Sequence, residues 1–160
     1  MAGNSRARII IQKELTDLMR NPVDWFSAGL VWEDNIFEWI LLILGPPDTP
    51  YFSFLLITPP VLCPPTVKFV SDMWHPNIYP DGEVCISILH AGEDPYGYEL
   101  FSERWSPVHT VESIVLSIIS LLSSPNDEAS ANVEAAIEWR DKREDFIKSV
   151  KRTVRRSQEG

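Results

Sequence analysis

The sequence has little that binds metal or cross-links a chain: two cysteines and three histidines in 160 residues. Two cysteines are too few for a disulfide framework. No CxxC or HExxH spacing occurs, so no metal site is expected. Long apolar runs are missing too, and none reaches the roughly 18 residues that span a bilayer, so no membrane insertion is expected. Met1 to Arg8 carries two arginines but leads into a mixed helical pattern, without the apolar stretch and cleavage site of a secretory leader. No repeat, linker or low-complexity tract interrupts the chain.

Basic residues are nearly absent from the middle. Residues 21–137 hold only Lys68 and Arg104 against sixteen acids, a charge of −14. Residues 1–20 carry four basic and two acidic groups (+2), and 138–160 carry eight and five (+3), which recovers the net −9. Nucleic acid is an unsuitable partner for such a chain, because phosphate contacts need a net basic face. The polarity fits basic ends that meet an acidic partner surface, or helix faces that simply carry solvated charge. At 18.3 kDa and 44% apolar, the chain is expected to form one domain over 1–160, with its own core, in the cytoplasm.

The apolar spacing predicts a helix over 5–20, with Ile9, Ile10, Leu15, Leu18 and Met19 at mixed intervals of three and four, ended by Asn21-Pro22. Residues 29–32, 36–44, 52–57 and 67–70 read as strands. The second is apolar on both faces and is expected to be central. Between the third and fourth, four prolines fall within residues 59–65, which no paired central strand accommodates. From Trp74 to Pro107 little regular structure is expected. Residues 91–104 hold four acids, two glycines and a proline and read as an exposed loop. Thr110 to Ser123 is apolar almost all round and reads as a buried helix, stopped by Ser124-Pro125-Asn126. A short helix follows over 132–140. Asp141 and Glu144 resemble a capping box opening a last helix, with Phe146, Val150 and Val154 on one face. A helix, then strands, then helices indicates an α+β fold with a three- or four-stranded antiparallel sheet.

The chemistry concentrates in His75 to Leu89. Cys85 follows a glycine-containing turn, and the side-chain amide of Asn77 lies eight residues earlier. A thiol is the best side-chain nucleophile near neutral pH and forms thioesters. An amide N–H beside it stabilises the oxyanion of a tetrahedral intermediate. Spacing alone does not bring the two together, and a cysteine among apolar residues is commonly a small core hydrophobe. Cys85 with one of the histidines also fits a cysteine hydrolase, although nothing supplies the third, orienting residue. A Cys63–Cys85 disulfide is the purely structural reading of both cysteines, and an intracellular composition argues against it.

His75-Pro76-Asn77, Gly82, Cys85 and Leu89, followed by Trp105-Ser106-Pro107, resemble the active-site signature of ubiquitin-conjugating enzymes. Asn35 to Trp39, Gly45 to Tyr51, Pro64 to Phe69 and Ser124 to Asn126 resemble further segments of that family, in the same order. The acidic stretch between His90 and Arg104 resembles the long-loop subgroup called type G. The resemblance implies the ubiquitin-conjugating fold, with Cys85 accepting ubiquitin from the activating enzyme as a thioester. Cys85 then passes it to a lysine with a RING-type ligase bound. It implies that Asn77 stabilises the attack intermediate or holds the loop, and that His75 braces the loop rather than acting as a base. His90 sits at the mouth of the insertion, where Glu93, Asp94, Glu99 and Glu103 orient ubiquitin or help deprotonate the incoming lysine, or form a solvated acidic flap. Arg6, Arg8 and Lys13 match the basic helix face shown to the activating enzyme, and Pro107, Ser124, Pro125 and Asn126 match ligase contacts. His109 reads as a helix-start surface residue. No cofactor is implied, because ATP is used by the activating enzyme.

The chain departs from the family pattern between Tyr51 and Pro64. The glycine turn and a Phe-Pro are absent and the segment is several residues short, which is expected to shorten the third strand or shift its register. Trp25 stands where glycine is usual, and Ala129 where Ser or Asp is frequent. These departures motivate a second reading, a catalytically weak relative that binds ubiquitin or a ligase.

Overall fold

The computed structural model describes residues 2–44, 52–57, 65–90, 104–106, 109–126 and 130–159. The first helix, α1, spans Ala2–Arg20 and is longer at its start than its apolar spacing indicates. The backbone N–H of Asn21 still donates to Asp17, and Pro22 then ends the run. Ile11 and Leu15 point into the core, while Ile9, Ile10 and Met19 stay exposed.

Four strands follow: β1 (Phe26–Trp32), β2 (Asn35–Leu44), β3 (Phe52–Ile57) and β4 (Val67–Phe69). They form one antiparallel sheet in chain order. β1 starts three residues before the predicted position, because Phe26 is buried and pairs with Ile43 at the far end of β2. β2 is an inner strand, as its apolar run predicts. Only one of its faces is fully covered, however: Trp39, Leu41 and Ile43 are buried, whereas Ile40 and Leu42 are half-buried and Leu44 is exposed. The indole N–H of buried Trp39 donates to the Ile36 carbonyl at 2.7 Å, which removes the cost of an unpaired donor. β3 runs over the predicted residues and pairs with β2 from Phe52–Leu44 to Ile57–Trp39 without a break. The expected register slip is not seen: Ile57, opposite Trp39, is buried with it.

A 3-10 turn over Ser87–Leu89, not anticipated from the sequence, precedes the insertion. Helix α2 (Val111–Ser123) is the central helix, with Val111, Ile114, Val115, Ile118 and Leu122 buried in the same cluster as the inner face of the sheet. It opens on a capping box, in which the Thr110 side chain accepts from the Ser113 N–H and Ser113 Oγ accepts from the Thr110 N–H. Helices α3 (Val133–Asp141) and α4 (Arg143–Glu159) close the chain. The box expected at Asp141 is absent, because Asp141 is the last residue of α3 and its carboxylate faces Arg140. Lys142 joins the helices directly: its N–H donates to Glu138 and its carbonyl accepts from Phe146. No described helix is long and apolar enough to cross a membrane.

Candidate active site

Residues 77–79 and 83–85 form a miniature antiparallel ribbon. Ile78 and Val84 are bridged, the Cys85 N–H donates to the Asn77 carbonyl at 2.8 Å, and the Tyr79 N–H donates to the Glu83 carbonyl at 2.9 Å. Ile78 and Val84 point inward and are buried. Side chains alternate along extended chain, so Asn77, Tyr79, Glu83 and Cys85 share the other face. Cys85 is therefore directly opposite Asn77, a proximity that eight-residue spacing alone does not establish.

The turn of the ribbon depends on Gly82, which has a φ of +99°. A Cβ there would lie 2.3 Å from the Phe69 carbonyl oxygen. That close approach lets the Phe69 N–H donate to the Gly82 carbonyl at 2.9 Å, which docks the ribbon against β4. Asp81 adds a local turn by accepting from the Glu83 N–H.

Each residue of His75-Pro76-Asn77 ties the ribbon to a different part of the C-terminal half. The Asn77 N–H donates to His75 Nδ1 at 3.0 Å, so Nδ1 is the acceptor. The ring proton therefore sits on Nε2, which donates to the Leu121 carbonyl of α2 at 2.8 Å. Burial lowers the His75 pKa to about 4, against a smaller opposing effect of the Leu121 bond. The ring is neutral at physiological pH, and both nitrogens serve structure. The Pro76 carbonyl accepts from Ala131 at 2.7 Å and Asn132 at 3.0 Å, and Asn132 caps α3 through its side chain. Asn77 is also buried. Its Nδ2 donates to the Asn126 carbonyl at 2.7 Å, and its Oδ1 accepts from the Asn126 N–H at 2.8 Å. Trp74 adds a fourth tie, its indole N–H donating to Glu138 of α3 at 2.9 Å.

Cys85 is half-buried and carries a thiol rather than a disulfide. Cys63 lies outside the described residues. His90 caps the 3-10 turn, and its carbonyl accepts from Trp105 at 2.9 Å, closing the base of the insertion. Glu93, Asp94, Glu99, Glu103, Pro107 and Ala129 are outside the described residues. Arg6, Arg8 and Lys13 are exposed on α1, and the Arg8 guanidinium lies 5.5 Å from the centre of the Phe37 ring. Ser124 and Asn126 are exposed and Pro125 is half-buried. His109 is half-buried rather than a plain surface residue, because its ring stacks near Trp105 at 5.8 Å. Among the described residues no cluster of three or more potential ligands could hold a metal ion.

Two features escape the sequence reading. Asn126 is matched there only as a ligase contact, yet its backbone holds Asn77 at both ends. Tyr79 is passed over entirely, yet it shares the outer face of the ribbon with Cys85, whose negative charge raises the pKa of its phenol. Its spacing of two from Asn77 is the available signal, once 77–85 is read as a ribbon.

The family model "Ubiquitin-conjugating enzyme" matches residues 10–154. The chain belongs to the ubiquitin-conjugating enzyme family. It is 64% identical over 163 residues to ubiquitin-conjugating enzyme E2 13 of Arabidopsis thaliana, with 98% of each chain covered. It is 50% identical over 166 residues to ubiquitin-conjugating enzyme E2 G2 of Homo sapiens, again with 98% of each covered, which relates it to the type G subgroup. The solved structure of human ubiquitin-conjugating enzyme E2 G1 is 44% identical, with a TM-score of 0.65 over 75% of this chain and 97% of that one. The Arabidopsis alignment is longer than the 160-residue chain, so that relative has residues with no counterpart here. The family relation extends over nearly the whole chain despite them.

Proposed function

We propose that Cys85 accepts ubiquitin from the activating enzyme and passes it to a lysine. The placement of Cys85 opposite Asn77, on a ribbon tied down by His75, Pro76 and Asn77, carries this reading. The Cys85 thiolate attacks the carbonyl carbon of the activating enzyme's ubiquitin thioester. A new S–C bond forms, the old one breaks, and the activating enzyme's cysteine leaves as thiolate. The lysine amine then attacks the Cys85 thioester, forms an amide and releases Cys85. ATP is spent upstream, and this chain takes no cofactor.

Asn77 holds the loop through Asn126, and an N–H aimed at the developing oxyanion would add directly to the transition state. The exposed cations Arg6, Arg8 and Lys13 face the activating enzyme, and Ser124, Pro125, Asn126 and Pro107 face a RING-type ligase. His90, with Glu93, Asp94, Glu99 and Glu103, orients ubiquitin or the incoming lysine. Neutral, buried His75 is not a base. The reaction takes place in the cytoplasm, with the nucleus and the cytosolic face of the endoplasmic reticulum as further sites.

The test is a charging assay with activating enzyme, ubiquitin and ATP, run beside Cys85→Ala on a non-reducing gel. A reductant-sensitive band of added ubiquitin mass, lost in the variant, is expected. Absence of that band from folded protein would replace this function with a ubiquitin- or ligase-binding role.

A further inference from the structure

We propose that Tyr79 donates its phenolic proton as a hydrogen bond to the Cys85 sulfur and thereby favours the thiolate that takes up ubiquitin. This deepens the preceding function and rests on Cys85 being the nucleophile. The geometry comes from the ribbon. Ile78 and Val84 are the buried bridged pair, so Tyr79 and Cys85 project from the opposite face as diagonal neighbours on adjacent strands. A diagonal pair in an antiparallel ribbon is within reach when one member is aromatic. The fold fixes the relation from both sides, through the Tyr79 N–H to Glu83, the Cys85 N–H to Asn77, and the Gly82 N–H to the Tyr79 carbonyl. The two side chains thus stand on one face of the ribbon, within interaction range of each other.

The electrostatics agree. The Tyr79 hydroxyl is held above its usual pKa, first by the negative charge of a Cys85 thiolate, then by burial and the bond to Cys85, and less by Glu83 and Asp81. A phenol that resists ionisation beside a thiolate remains a donor where the thiolate needs one. The other charged groups nearby do not replace it. Asp81 and Glu83 oppose a second negative charge, His75 is neutral, and Lys68 of β4 sits opposite Glu83. Tyr79 thus places a neutral donor on the face of the ribbon that carries the sulfur. When the thiol ionises its proton leaves to solvent. The Tyr79 O–H remains intact, donates to S⁻, and releases the sulfur as the new S–C bond forms.

The experiment follows alkylation of the Cys85 peptide by iodoacetamide across pH, by mass spectrometry, in the full chain and in Tyr79→Phe. The charging rate is measured in the same two proteins and in Cys85→Ala. Tyr79 is 43% exposed and phenylalanine keeps the ring, so the variant is expected to fold. The half-maximal pH of alkylation should rise in Tyr79→Phe by about one pH unit, and charging at pH 7 should slow about threefold to tenfold and recover above pH 9. As the reciprocal measurement, the ultraviolet phenolate titration assigned to Tyr79 should move to lower pH in Cys85→Ala. Unchanged alkylation and charging in Tyr79→Phe, with charging lost in Cys85→Ala, would overturn the role of Tyr79 and leave the nucleophile standing. Slower lysine discharge with unchanged charging and alkylation would also overturn it. Charging that survives in Cys85→Ala would instead remove the nucleophile itself.

Discussion

The sheet and the 75–85 ribbon both hold extended chain, and they do so by different means. β1, β2 and β3 share long ladders, and their inner face is a repeating apolar surface in which Trp39, Leu41, Ile43 and Ile57 share the load. The ribbon has one bridged pair and is held by side-chain and backbone bonds, each belonging to a single residue. A pattern tolerates substitution where position and polarity are kept, whereas a set of individual bonds fails one residue at a time. The described part of the segment that departs from the family pattern is β3, and it pairs with β2 without a break, Ile57 opposite Trp39.

The largest test of this contrast is a pair of glycine substitutions. Gly29 of β1 and Gly82 of the ribbon differ in what a Cβ would meet: nothing within 4 Å at Gly29, the Phe69 carbonyl at 2.3 Å at Gly82. Gly82→Ala must also adopt the positive φ. It should lose about 3 kcal/mol or more in urea unfolding. Gly29→Ala should stay within about 0.5 kcal/mol of the parent or gain slightly, because alanine loses less chain entropy on folding. Equal losses at both positions would mean that the ribbon is no more constrained than the sheet.

Much of this contrast is legible in the sequence, for reasons that differ by region. The run from Ile36 to Leu44 and the apolar helix after Thr110 announce themselves, because periodicity is a local signal. The His-Pro-Asn motif with Cys85 marks the candidate site. Long-range polar ties leave no such trace. Nothing near Asn77 indicates that its amide meets the backbone 49 residues later, or that Glu14 meets Val111 across 97 residues. Asp141 misleads for the opposite reason: the local capping pattern is present, but α3 already occupies the residue and Lys142 serves both helices.

The second test uses pH. His75 has a folded pKa of about 4 against an ordinary 6.5, because burial disfavours the imidazolium. Between these values the unfolded chain binds a proton that the native ribbon refuses, so stability falls as pH drops below 6.5 and the loss is complete near 4. The linkage amounts to about 2 kcal/mol by pH 5. His75→Gln should be less stable at pH 7.5, having lost its paired nitrogens, yet its stability should decline less between pH 7.5 and 5. Parallel declines in the two proteins would remove His75 as the acid-sensitive element of the ribbon.

The smallest expected effect lies outside both regions, where α1 meets the start of α2, and it shows a single polar bond carrying a cost. Glu14 Oε1 accepts from the Val111 N–H at 2.5 Å, joining the helix that bears Arg6, Arg8 and Lys13 to the helix that holds His75. A carboxylate at a helix N-terminus is ordinarily favoured. Here burial raises the Glu14 pKa, Glu112 adds to the rise, and the Val111 bond opposes it without cancelling it. A carboxyl whose folded pKa is raised contributes most when protonated and loses that contribution as pH climbs through the folded value. Glu14→Gln keeps an oxygen for Val111 and removes the buried charge. The variant should therefore be slightly more stable than the parent at pH 7, by less than about 1 kcal/mol because solvent screens the partly exposed carboxylate. The advantage should shrink as both proteins approach pH 4, with His75 common to the two and cancelling. A variant less stable than the parent at pH 7 would mean that the charge on Glu14, rather than its oxygen, is what joins α1 to α2.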